Sequence, residues 1–319
     1  MPITLTCADY PRVLPLALGA VPAEFTLELS RRGSWTGRAE MLRRATADAT
    51  VAGGETSMGM HLRRMDEGDR SFVALPVFVL RNFTGRDLYV RQGSDLREAG
   101  ALRGKRIGMY SWTASGSIWY RHFLAWAGVP ADSVQWCIGD IDAPWGMQSN
   151  PGLPPGGTAP PPGQSLSQML IAGELDAIYS PPVPKDYHPE RGPIVRLYPD
   201  SRAVERAYFE ATGVFPPQHL VVLRRAVWEA DRGLAKRIVE SFNACEDYVD
   251  DQLRSLPYAT PWMQQEIEES AAAIGPHPYR HGLETNHDVM AQFCAEGHRL
   301  GLTRRAIGVE EYFREFLES

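Results

Sequence analysis

Short apolar runs alternate with helix-spaced stretches along this chain, a pattern that predicts an α/β fold. Ile3-Thr4-Leu5-Thr6-Cys7 and Phe25-Thr26-Leu27-Glu28-Leu29 read as the first two strands, and Met41–Ala45 as a helix. Phe72–Phe78 is an apolar strand that Pro76 pushes to a sheet edge or end, because proline cannot donate to a ladder. Asp87–Val90 reads as a strand followed by the turn Gln92-Gly93-Ser94. The run 102–109 is a turn and then a strand. Residues 117–127 carry helical spacing through Ile118, Trp119, Phe123 and Trp126. Leu166–Ala172 is a short helix that Gly173 ends, with a strand at 176–179 behind it. His219-Leu220-Val221-Val222-Leu223 is a strong strand, and from Arg225 onward the pattern is mostly helical.

One segment breaks this rhythm. Residues 143–163, rich in Pro and Gly, fit neither a helix nor a central strand, and read as a surface excursion, a lid or a subunit contact.

The chain has 319 residues, enough for one large core or two lobes. No apolar run is long enough to span a bilayer, so no membrane partner is expected. The formal net charge of -6 and the lack of a basic block argue against nucleic acid. Arginines are nonetheless scattered throughout, which leaves room for a local cationic pocket. Cys7, Cys137, Cys245 and Cys294 show no metal or redox spacing and are expected to be buried, reduced thiols. The first residues lack a signal-peptide pattern, so a cytoplasmic location is expected.

Two phrases carry topology. Leu102-Arg103-Gly104-Lys105-Arg106-Ile107-Gly108 leads into a strand and a loop before a helix, and Gly173-Glu174-Leu175-Asp176-Ala177 precedes another strand. In this order they resemble the second lobe of type 2 periplasmic binding proteins. That likeness implies a two-lobed fold with a central cleft and two crossover strands at Tyr89-Val90 and Leu220-Val221. The first lobe would be residues 1–88 plus 225–319, the second 89–224, with ligand between them.

The whole chain resembles the 4,5-dihydroxyphthalate decarboxylase family, a cytoplasmic branch of that fold. The likeness runs through Asp9-Tyr10-x-Arg12, Phe72–Phe78, Arg81-x-Phe83, Leu88-Tyr89-Val90, Thr113-Ala114 and Trp119-x-Arg121. It continues through 173–179, Arg202–Glu205, Thr212–Pro216 with His219, and Tyr279, Gly282, Glu284 and Asn286. The resemblance implies a carbon–carbon lyase that releases carbon dioxide from a hydroxylated aromatic acid. The alternatives are a non-catalytic binding protein for an aromatic or carboxylate ligand, and another lyase on the same fold, such as a menaquinone-pathway dehydratase.

Such chemistry needs a cationic clamp for a carboxylate, a base near the phenol and an acid aimed at the ring. Arg12, Arg81 and Arg121 are the clamp candidates, since a guanidinium matches a carboxylate bidentately. His219, at the start of an apolar strand, is the acid/base candidate. Asp9, Glu55 and Glu284 are carboxylates expected near the cleft, one of which would orient a histidine or take the phenol proton; Asp9 and Glu284 are put forward with His219 as catalytic. Tyr10, Trp35, Phe83, Trp112 and Tyr179 offer walls for a planar ring, with Thr113 as a hydroxyl donor in the ligand loop and His281 as a pocket residue. His277-x-x-x-His281 has helical ligand spacing, but Pro278 interrupts it. The ring itself accepts the electron pair, so no cofactor and no metal ligands are expected, with a divalent metal left open. The expected partner is a small aromatic acid, and a homo-oligomer is left open.

Overall fold

The computed structural model describes residues 3–30, 35–143, 153–255 and 260–319. It divides into two compact units, Met1–Asn82 with Pro217–Ser319, and Phe83–Pro216. The chain starts in the first unit with β1 (Ile3–Ala8), α1 (Leu14–Ala17), β2 (Phe25–Ser30), α2 (Trp35–Ala47), β3 (Gly53–Ser57), α3 (Met58–Asp66) and β4 (Phe72–Arg81). The second unit holds β5 (Leu88–Arg91), β6 (Arg106–Met109), α4 (Ser115–Trp126), β7 (Gln135–Ile138), α5 (Leu166–Ala172), β8 (Ala177–Tyr179), β9 (Ile194–Arg196) and α6 (Arg202–Thr212). The chain returns to the first unit through β10 (Pro217–Arg224), α7 (Arg225–Ala230), α8 (Leu234–Ser255), α9 (Met263–Ile274), α10 (His287–Arg299), α11 (Val309–Tyr312) and α12 (Arg314–Leu317).

Each unit is built on a five-stranded mixed sheet. The orders are β2-β1-β3-β10-β4 and β7-β6-β8-β5-β9. In both, the fourth strand is the antiparallel one: β10 runs against β3 and β4, and β5 against β8 and β9. These two strands contain the expected crossover positions. β10 pairs entirely within the first sheet, so residues 217–224 go with the first unit, and the division falls after Asn82 and before Pro217.

Pro76 lies on the edge strand β4, as its missing N–H demands. The loop after α9 covers that edge. Gly282 N–H donates to the Pro76 carbonyl at 2.8 Å, and Phe78 N–H donates to His281 Nδ1 at 3.1 Å. Over the first sheet, α8 lays its apolar face, Ile238, Phe242 and Cys245, against Leu5, Cys7, Leu75 and Val221 in one core. In the second unit, α5 begins with a capping box between Ser165 and Gln168 and ends at Gly173, whose φ of 79° suits glycine.

Residues 144–152 of the Pro/Gly-rich loop lie outside the described residues. Its remainder carries no helix or strand, but Thr158 bridges Cys137 on the outer strand β7, with Ile138 N–H donating to the Thr158 carbonyl at 2.8 Å. All four cysteines are buried thiols outside any disulfide. Among the described residues no helix is long and apolar enough to cross a membrane, and no cluster of His, Cys, Asp and Glu is fit to hold a metal.

Candidate active site

Strand β3 reads Gly-Gly-Glu-Thr-Ser and is buried along its whole length. It lies between β1 and β10, whose backbones close in on it. A Cβ on Gly53 would sit 2.0 Å from the Val222 carbonyl oxygen, and one on Gly54 would sit 2.3 Å from that of Thr6. Only glycine fits at those contacts, where φ is near +150°. The next residue, Glu55, is thereby held between two strands far away in sequence, with no exposed surface.

Four donors converge on its carboxylate. Oε2 accepts Ala8 N–H at 2.8 Å and the Cys7 thiol at 3.4 Å. Oε1 accepts the Tyr10 hydroxyl at 2.6 Å and meets His219 Nδ1 at 2.5 Å. Burial by itself would push the Glu55 carboxyl up. The hydrogen bond and charge of His219, the Tyr10 hydroxyl and the Ala8 N–H outweigh it and hold the carboxyl below its ordinary range. Glu55 is therefore an ionised acceptor.

His219 stands on β10 opposite Ser57 of β3 and Leu80 of β4, with register shifts against β4 on either side. Facing a carboxylate that only accepts, Nδ1 carries the proton. The Nε2 atom is left as the second proton site, and the residue is 8% exposed. An imidazole oriented in this way has Nε2 available to exchange a proton with a reacting atom.

A second buried cluster lies in the same unit. Arg12 pairs with Glu246 and, at 3.0 Å, with Asp250, both on α8, and its guanidinium lies 4.1 Å from the centre of the Tyr279 ring. Burial pushes the Glu246 carboxyl up to about 7, against the pull of Arg12. His281 accepts Phe78 N–H at Nδ1, which leaves its proton on Nε2, 3.8 Å from Glu246. Burial, helped by Arg81 and Arg12, brings His281 down to about 3, so it stays neutral and serves to fasten its loop to β4. Arg81 hydrogen-bonds the amide oxygen of Asn286, and burial lowers its guanidinium to about 10. A cavity of about 130 Å³ opens beside Arg12, Asp250 and Tyr279.

Five of the expected residues sit in the second unit. Trp112 stacks on Arg121, whose guanidinium lies 3.7 Å from the ring centre. Arg121 is fully buried and donates to the Ser117 and Trp112 carbonyls at 2.9 and 2.6 Å. Tyr179 stacks on Tyr120 with centroids 4.3 Å apart, Phe83 packs on Phe215 at 4.9 Å, and Thr113 is half-buried in the loop before α4. The Trp35 side chain lies outside the described residues.

Of the three carboxylates singled out from the sequence, the fold brings Glu55 to His219. Asp9 and Glu284 are exposed. Tyr10 reaches the same cluster through its hydroxyl, while Arg12 turns to Glu246 and Asp250. Sequence reasoning missed Glu246. Its signal was a glutamate on the apolar face of α8, between Phe242 and Val249.

No family model matches the chain. A 4,5-dihydroxyphthalate decarboxylase of Comamonas testosteroni is 25% identical over 275 residues, covering 84% of this chain and 83% of that protein. One of Pseudomonas putida is 26% identical over 218 residues, covering 66% of this chain and 81% of that protein. The chain resembles the 4,5-dihydroxyphthalate decarboxylases. The likeness read from its motifs thus extends over most of its length. Among solved structures, the periplasmic aliphatic sulphonate binding protein of Escherichia coli superposes with a TM-score of 0.52 at 13% identity, over 98% of this chain and 91% of that one. The ligand binding component of an ABC-type import system of Staphylococcus aureus gives 0.50 at 10% identity, over 100% and 99%. At these identities the likeness speaks for the fold alone, and the fold is the periplasmic-binding-protein-like one expected for the decarboxylase relatives.

Proposed function

We propose that the protein is a decarboxylase that releases carbon dioxide from a hydroxylated aromatic dicarboxylic acid such as 4,5-dihydroxyphthalate. The observation that carries this reading is the alignment with two proteins of that name over most of the chain. The Glu55–His219 pair supplies the proton chemistry such a reaction requires.

In the proposed step the hydroxyl para to the leaving carboxylate ionises, so that the ring holds charge as a quinone-like carbonyl. Protonated His219 gives the Nε2 proton to the ring carbon that bears the carboxylate. The bond to that carboxylate breaks, its electron pair restores the aromatic ring, and carbon dioxide leaves. His219 is left neutral and regains a proton, equivalent to the one the hydroxyl gave up. Glu55 stays ionised throughout and keeps the imidazole oriented through Nδ1. Within this reading Arg81, in the same unit as the Glu55–His219 pair, remains a candidate for holding a carboxylate, and the chemistry calls on no cofactor. The reading includes a cytoplasmic site of action, where four buried thiols stay reduced.

The test is release of carbon dioxide, with detection of the dihydroxybenzoate product, from a panel of hydroxyphthalates and hydroxybenzoates. Turnover of a hydroxyphthalate supports the reading. Saturable binding without turnover replaces it with a binding protein.

A further inference from the structure

The sequence offers Tyr10 as a wall for the substrate ring. Its geometry gives it a different task. The phenol oxygen lies 2.6 Å from Glu55 Oε1, the same oxygen that meets His219 Nδ1 at 2.5 Å. Two donors share one acceptor atom, and the phenol is 45 residues from Glu55 in sequence while the imidazole is 164 away. Tyr10 itself is 7% exposed.

We infer that Tyr10 is a positioning residue: its hydroxyl holds Glu55 Oε1 and sets how strongly that oxygen attracts the His219 proton. The inference rests on His219 being the acid–base group of the proposed reaction, but its physical core does not. A carboxylate oxygen with two donors is a weaker acceptor toward each than one with a single donor. With the phenol removed, Oε1 concentrates its charge on His219, the imidazolium becomes more stable, and His219 becomes a weaker acid. A second route to the same change is closed, because Oε2 is already engaged by Ala8 N–H and the Cys7 thiol.

The titratable groups around His219 belong to the strands packed against β10. From β3 comes Glu55, and through it Cys7 of β1 and Tyr10 from the segment after β1. On β4 the residue opposite is Leu80, with Arg81 next to it opposite Pro217. Of the helices that pack on β10, α3 carries His61, whose ring contacts Tyr312, and α7 carries Arg225 and Glu229 beyond the far end of the strand from His219. Tyr10→Phe changes none of these except the donor to Oε1, and it keeps the aromatic ring.

The experiment is a titration of the His219 imidazole by nitrogen-15 NMR in the substrate-free full chain, with the resonance assigned by its loss in His219→Ala. In Tyr10→Phe the midpoint is expected to rise by roughly one pH unit, with the Nδ1–H proton moving downfield. If the protein decarboxylates, kcat is expected to fall about tenfold with KM unchanged, and the alkaline limb of the rate profile to move up by the same amount as the NMR midpoint. Should Tyr10→Phe not fold, replacing tyrosine with 3-fluorotyrosine makes the phenol a stronger donor and is expected to move the midpoint down. A midpoint that moves in neither protein overturns the inference, whatever the activity. A shifted midpoint without turnover of any aromatic acid supports Tyr10 as the positioning group and overturns the decarboxylase reading alone.

Discussion

The Glu55 carboxylate and the His219 imidazole meet between adjacent antiparallel strands, Oε1 to Nδ1, at 2.5 Å, although 164 residues separate them in the chain. The carboxylate is fully buried and takes four donors, so its charge is compensated locally. The imidazole is thereby fixed in orientation and in proton position. Nothing about this arrangement depends on a particular substrate.

Glu55→Gln tests that arrangement. The amide keeps the shape but loses the charge, and its NH2 group must face donors that need an acceptor. Turnover of the aromatic acid is expected to fall by about 10²–10⁴-fold, the range for losing a positioned acid–base group. Stability is expected to fall by about 1–3 kcal/mol, from the unsatisfied polar groups left behind. Steady-state kinetics and a urea melt read the two effects separately.

The glycines before Glu55 make a sharper stability prediction. In Gly54→Ala the new Cβ would lie 2.3 Å from the Thr6 carbonyl oxygen, backbone that cannot step aside without breaking β1 from β3. A loss of at least about 3 kcal/mol is expected, or failure to accumulate folded protein. Chemical denaturation of the purified variant checks it.

Strands such as β1, β2 and β4 were legible because their apolar residues recur in strand-like runs, and Pro76 announced an edge. β3 was not, since Gly-Gly-Glu-Thr-Ser has the composition of a turn. Its burial comes from neighbours on both sides, and that information lies in the pairing. His219 could be picked out by its place before Leu220–Leu223, and Glu55 appeared among three carboxylates. Choosing Glu55 required the register of β3 against β10, a non-local relation that no local pattern encodes. Arg12 shows the converse. Its place after β1 suggested a clamp, but the partners that claim it, Glu246 and Asp250, lie more than two hundred residues further on.

Buried histidines predict acid sensitivity with a definite sign. Burial brings His61 down from 6.5 to about 4, so the folded chain holds fewer protons there than the unfolded chain between those values. Its contribution to stability is present above pH 6.5 and lost as pH falls through about 4. Glu246 and Asp87, raised to about 7, act in the opposite sense: their contribution is present below the ordinary carboxylate range and lost as pH rises through about 7. His61→Phe isolates the histidine. Measured by urea melts at pH 7 and pH 4, the stability of the native chain relative to this variant is expected to drop by on the order of 3 kcal/mol at the lower pH.

Asn286 clips the loop that covers β4. Its Nδ2 donates to the Gly282 and Arg280 carbonyls and to Thr285 Oγ1 at 2.7, 3.0 and 3.0 Å, while its Oδ1 accepts from Arg81. Asn286→Ala removes all of these at once. A loss of about 2–4 kcal/mol is expected, with faster proteolytic cleavage between 276 and 286, since the freed loop no longer docks on Pro76 and Phe78. Limited proteolysis under native conditions follows the loop directly.

The measurement that bears most directly on the central claim is carbon dioxide release, with product detection, from 4,5-dihydroxyphthalate, comparing the native protein with His219→Ala in the presence and absence of chelator. The account predicts chelator-resistant turnover that falls at least about a hundredfold in His219→Ala, the lower bound for losing an acid–base group. Full activity in His219→Ala, or no release from this or any related hydroxyphthalate, would contradict it.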